Sequence, residues 1–88
     1  MSYGVELSRR AAKTLKNLDQ TTTKRLQARI DELAVDPLSP NVSSQLIMLP
    51  GQRCSRVGDW RIIYEINESS SQIFIVTIQP RVRAYRNL

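Results

Sequence analysis

The chain has 88 residues, no histidine, one cysteine and a net charge of +5. That excludes His-based triads, His–metal sites, a typical zinc site and any intramolecular disulfide, and it fits one domain, residues 1–88, with a small core. Hydrophobic residues make up 41%, enough for a folded globule, and a small basic domain points to a polyanionic partner, usually nucleic acid.

Tyr3 to Leu7 alternates apolar and other residues, as a half-buried strand does. Ser8 is placed to cap a helix, in which Ala11, Ala12, Leu15 and Leu18 fall at helical spacing. Arg9, Arg10, Lys13 and Lys16 occupy the opposite face, so this helix is amphipathic. Asp19 and Gln20 break it, and Thr21 to Thr23 supply a second N-cap. Leu26, Ile30 and Leu33 form the next apolar stripe, which Asp36-Pro37 stops. Residues 37–50 hold three prolines and read as a loop with a short extended piece at Leu46–Leu49. Residues 53–57 form a strand, Gly58-Asp59 a turn or bulge, and Trp60 to Ile66 a strand rich in β-branched and aromatic side chains. Asn67 to Ser71 is a polar hairpin turn and Ile73 to Ile78 a strongly apolar strand that Pro80 ends. Residues 81–88 are a basic tail.

The expected order is β-α-α-β-β-β. A helical hairpin packs on one face of a small antiparallel sheet in a two-layer α+β fold, leaving the other face to carry function. No stretch is long and apolar enough to cross a membrane, and no signal peptide is evident, so the chain is expected in the cytoplasm.

The basic residues are ten Arg and three Lys, and from Gln45 onward all are Arg: Arg53, Arg56, Arg61, Arg81, Arg83 and Arg86. Guanidinium groups form planar forks that bind phosphate bidentately. Strand alternation puts Ile62, Tyr64 and Ile66 toward the helices and Arg61, Ile63 and Glu65 on the opposite face. Arg56 and Arg81 can converge there with Arg61. The competing structural role for Arg61 is a surface salt bridge with Glu65 or Asp59, and for Arg81, Arg83 and Arg86 a solvated C-terminus. Tyr85 is either a packing residue or a site residue. Cys54 reads as a small buried residue rather than a nucleophile, and Trp60 as a sheet anchor.

The segment Arg56-Val57-Gly58-Asp59-Trp60-Arg61-Ile62-Ile63-Tyr64 resembles the R-V-G-[DN]-[YW]-R-[VI]-[IV]-Y signature of the RelE/ParE superfamily of type II toxin–antitoxin toxins. Leu49-Pro50-Gly51 is similar to the L-x-G element before it, and Arg81 to Arg86 to the family's C-terminal R-R-x-x-Y-R. Tyr3 to Leu7 and Ala12 to Leu18 are similar to its first strand and A-x-K-x-L-x-x-L helix.

The resemblance implies a RelE-like toxin, an endoribonuclease that cleaves mRNA on the ribosome. It uses no cofactor or metal. The alternative is a ParE-like, non-enzymatic inhibitor of DNA gyrase. The implied partners are a RelB-like antitoxin in a hetero-oligomer, the ribosome and mRNA, and operator DNA only through the antitoxin. Arg61 and Arg81 would clamp the scissile phosphate, Arg56 would add positive potential or protonate the leaving group, and Tyr85 would stack on or orient the nucleotide. Arg53, Arg83 and Arg86 would bind RNA. The strand before the turn, Gln52 to Arg56, has no Lys where well-studied RelE members carry a proposed general base. The base is therefore unassigned.

Overall fold

In the computed structural model, residues 2–45 and 51–80 are described. The extended piece expected at Leu46–Leu49 and the basic tail from Arg81 lie outside them. The elements are β1 (Gly4–Leu7), α1 (Arg9–Asn17), α2 (Gln20–Val35), β2 (Ser44–Gln45), β3 (Gln52–Val57), β4 (Trp60–Asn67) and β5 (Gln72–Pro80).

The expected two-layer fold holds, with two refinements. The sheet has five strands in the order β1-β5-β4-β3-β2. One is β2, a two-residue strand inside the segment read from sequence as loop, paired antiparallel with Cys54 and Arg53. The other refinement is at the far edge, where β1 runs parallel to β5, with Val5 against Ile73 and Leu7 against Ile75. The sheet is therefore mixed rather than wholly antiparallel. Only β3, β4 and β5, joined by short turns, form the antiparallel meander the sequence suggested.

Local chemistry sets the helix boundaries. Ser8 caps α1, its Oγ accepting from the Ala11 amide at 3.0 Å. The same hydroxyl donates to the Val76 carbonyl at 2.7 Å. Val76 sits where the β4–β5 register shifts, between the pairs Ile63–Thr77 and Tyr64–Ile75. A bulge leaves one residue out of the ladder, and here Ser8 satisfies the carbonyl so freed. The second helix is capped by Asp19, whose Oδ2 accepts from Thr22 N at 3.0 Å, and not by the threonines. A carboxylate outcompetes a hydroxyl for helix N–H groups, because a charge-assisted bond is the stronger one. Thr23 instead donates to the Leu15 carbonyl at 3.1 Å and ties the two helices together.

The core lies between the helices and one sheet face. Ala11, Leu15, Leu26, Ile30 and Leu33 meet Val57, Ile62, Tyr64, Ile73, Ile75 and Ile78. Ile66 and Trp60 pack at its margin. Tyr64 is fully buried, so its hydroxyl needs partners. It has them in a relay: Arg53 Nε donates to Ser43 Oγ at 2.6 Å, Ser43 is bonded to the Tyr64 hydroxyl, and that hydroxyl donates to the Pro37 carbonyl at 2.6 Å. Tyr64 has one proton and the carbonyl takes it, so Ser43 is the donor in the middle link. The relay fastens the segment after α2 to the sheet.

Candidate functional site

The sheet face opposite the helices is built in rows, because directly paired residues on neighbouring strands point the same way. Arg56, Arg61 and Gln79 form the row nearest the β3–β4 turn. Cys54, Ile63 and Thr77 form the next, and all three are buried. Gln52, Glu65, Phe74 and Glu6 form the third. One end of the face is thus basic and the other acidic, with a strip of low polarity between. Such a gradient draws a phosphate to the arginine end.

The arginine pair is the strongest feature. Arg56 and Arg61 are register partners, so two like charges stand side by side. The salt bridge to Glu65 or Asp59 considered for Arg61 is not formed. Among the described residues the ion pair is Arg29 with Glu32, and Glu65 accepts instead from Gln52 Nε2 at 2.8 Å. Arg61 Nε is buried and has no hydrogen-bond partner among the described residues. A buried donor left unpaired costs stability.

Two further arginines converge on this end from α2. Arg29 Nη1 donates to the Arg56 carbonyl at 2.6 Å and to Ser55 Oγ at 3.0 Å. Among the described residues β2 pairs with Cys54 and Arg53, and the guanidinium takes over the β3 edge beyond Cys54, at Ser55 and Arg56. Arg25 lies over the Gly58 turn: a Cβ added at Gly58 would stand 3.0 Å from Arg25 Nη2. Gly58 also has φ +58°, a conformation that disfavours side chains. Sequence reasoning did not single out either arginine. Their spacing of four on one helix face was visible, but which strand that face meets was not.

Other sequence candidates fall elsewhere. Arg53 is directed to the helix side, donating to Ser43, and does not join Arg56 and Arg61. The parity of β3 decides this, since Arg53 alternates with Cys54 and shares its side with Ser55 and Val57. Arg81, Arg83, Tyr85 and Arg86 lie outside the described residues. Cys54 is buried, as expected. Burial pushes its thiol up, against the opposing pull of Arg61 and Arg56, so it stays protonated near neutral pH. Burial likewise raises the Tyr64 hydroxyl, despite its bond to Ser43 and the nearby Arg53. Neither group is a base at neutral pH. The open grooves of this surface include one of about 410 Å³ beside Arg56 and one of about 420 Å³ at the acidic end.

This two-layer fold thus carries a basic row at the turn of its central hairpin. Residues 5–85 match the family described as the ParE toxin of the type II toxin–antitoxin system parDE. The chain belongs to that family, within the RelE/ParE superfamily, and is the toxin of a type II toxin–antitoxin system. Comparison with curated protein sequences finds no match. Solved structures with the same fold include the RelE–RelB complex of the archaeon Pyrococcus horikoshii, at 26% identity and a TM-score of 0.80 over 94% of this chain and 99% of that one. The RelBE2 toxin–antitoxin complex of Mycobacterium tuberculosis has 23% identity and a TM-score of 0.80, over 92% and 100%. The isolated RelE toxin of E. coli has 17% identity and a TM-score of 0.78, over 90% and 84%.

Proposed function

We propose that this toxin is an endoribonuclease that cuts mRNA on the translating ribosome. The observation that carries the reading is the Arg56–Arg61 pair, two adjacent guanidinium groups with no acid partner among the described residues and one buried, unused donor. Such a pair is built to receive a phosphate.

In the reaction, the ribose 2′-hydroxyl gives up its proton to solvent water and attacks the adjacent phosphorus, and the bond to the 5′ oxygen breaks as that oxygen takes up a proton from solvent. The products are a 2′,3′-cyclic phosphate and a 5′-hydroxyl. Charge accumulates on the phosphorane oxygens in the transition state, and Arg61 and Arg56 stabilise it there. Arg81, one residue beyond β5, completes the clamp, Tyr85 orients the nucleotide, and Arg83 and Arg86 add backbone contacts. The β3 strand supplies no base, so acceleration rests on charge and alignment. That suits a substrate presented already in line, as mRNA is on a ribosome. The toxin is held in check by an antitoxin in a hetero-oligomer, and the complex reaches operator DNA through the antitoxin. Solved relatives that are RelE–RelB complexes support this partner. No described helix is long and apolar enough to cross a membrane, and the work is assigned to the cytoplasm, where ribosomes are.

A second reading is supported by the family match and by the missing base: a non-enzymatic inhibitor of DNA gyrase. Primer extension on a reporter mRNA in a translating extract separates the two. New 5′ ends on translated message alone are the expected result, and Arg61→Ala should abolish them while leaving antitoxin binding intact. Intact message together with inhibited gyrase supercoiling would replace the first reading by the second.

A further inference from the structure

The groove of about 410 Å³ beside Arg56 lies between Arg29 of α2, the segment after that helix and β3. Arg56, Cys54 and Arg29 form one wall. Pro40, Asn41, Val42 and Ser43 form the other. Its volume falls in the range of small-molecule sites, about 300–1,000 Å³. Pro40 and Val42 offer apolar surface, and Arg29 gives it positive potential. The Asn41 side chain is exposed and makes no hydrogen bond among the described residues. Arg29, by holding the Arg56 carbonyl, also joins the groove mechanically to the arginine row.

The geometry points to this groove as a nucleobase subsite, taking the base next to the phosphate held by Arg56 and Arg61, with Asn41 reading its edge. The inference rests on the RNA-cleaving reading and deepens it. Arg56 lines both places, so a strand whose phosphate lies on the arginine row enters the groove with a neighbouring nucleoside. Single-stranded RNA is read in this way, by apolar or stacking contact with the base face and hydrogen bonds to its edge. The Asn amide sets a donor beside an acceptor, which matches adenine N7 and N6. The groove of similar size at the other end of the face is lined by Glu6, Glu65 and Glu68, and it repels a polyanion.

The test is a titration of the full ¹⁵N-labelled chain with short single-stranded RNAs whose 2′-hydroxyls are methylated, so that no cleavage occurs. The expected result is saturable amide shifts at Arg56 and Arg61 and also at Asn41 to Ser43. Shifts at the arginines with none at 41–43 would overturn the subsite and leave the RNA reading standing. No saturable shift at either place would overturn the subsite, and the RNA reading would then stand or fall on the cleavage assay with ribosomes. Asn41→Ala should weaken an adenine-containing oligonucleotide about tenfold and a uridine-only one less than about twofold. Equal losses for both would show that Asn41 does not read the base.

Discussion

Replacing Arg61 by alanine should leave the isolated toxin at least as stable as the native chain while disabling it. Arg61 Nε is buried and has no partner among the described residues, and a buried, unpaired donor costs about 1–3 kcal/mol. Its register partner is Arg56, and like charges directly opposed across strands cost roughly 0.2–1 kcal/mol. Against this, truncation uncovers the apolar stem, at about 0.8 kcal/mol per methylene fully buried. The balance favours the variant by about 1 kcal/mol, which is a Tm higher by about 4–8 °C for a domain of this size. Part of the gain is repulsion between exposed charges and should shrink as salt is raised. On the proposed RNA-cleaving function, losing one preorganised positive group from a phosphoryl transition state should lower the cleavage rate by about 10²–10³. Thermal unfolding followed by circular dichroism, at low and high salt, gives the first quantity, and single-turnover cleavage in a translating extract gives the second. A Tm several degrees below the native value would show that Arg61 anchors the fold and would refute a ligand-directed role for its unpaired Nε.

Other expectations concern the scaffold. Tyr64→Phe removes the hydroxyl that links Ser43 to the Pro37 carbonyl and should cost about 2 kcal/mol, near 10 °C in Tm; an unchanged Tm would mean the relay does not hold the segment. The Asp19 carboxyl is held below its ordinary value of 3.8, chiefly by the Thr22 hydrogen bonds. Its contribution is therefore complete above pH 3.8 and is lost as pH falls through the lower folded value. Asp19→Ala should destabilise the chain at neutral pH and progressively less below pH 3.8, so a denaturant-measured difference that is flat with pH would contradict the capping role. Leu26→Ala empties a fully buried position and should cost about 2–5 kcal/mol, a large share of the roughly 5–15 kcal/mol available to such a domain; a urea midpoint close to native would refute its place in the core.

The sequence alone determined what depends on neighbours along the chain. Helical spacing gave Leu26, Ile30 and Leu33 as one buried stripe, and strand alternation separated Ile62 and Tyr64 from Arg61 and Ile63. Short turns gave the β3–β4–β5 meander, and Ser8 was legible as a cap because a cap bonds only two or three residues ahead. The adjacency of Arg56 and Arg61 was legible for the same reason, since both belong to one hairpin. Tertiary structure decided what depends on residues far apart. The parallel pairing of β1 with β5 joins strands about the length of the chain apart, and no local pattern encodes its direction. The described β2, Ser44–Gln45, is too short for alternation to register, and it forms by pairing with the β3 edge. Arg53 looked equivalent to its neighbours in a run of arginines until the β3 register turned it toward Ser43. Arg29 entered the site only when α2 packed beside the β3 edge. Local sequence fixes which way a side chain leaves its own backbone, whereas what it meets there is a property of the packed whole.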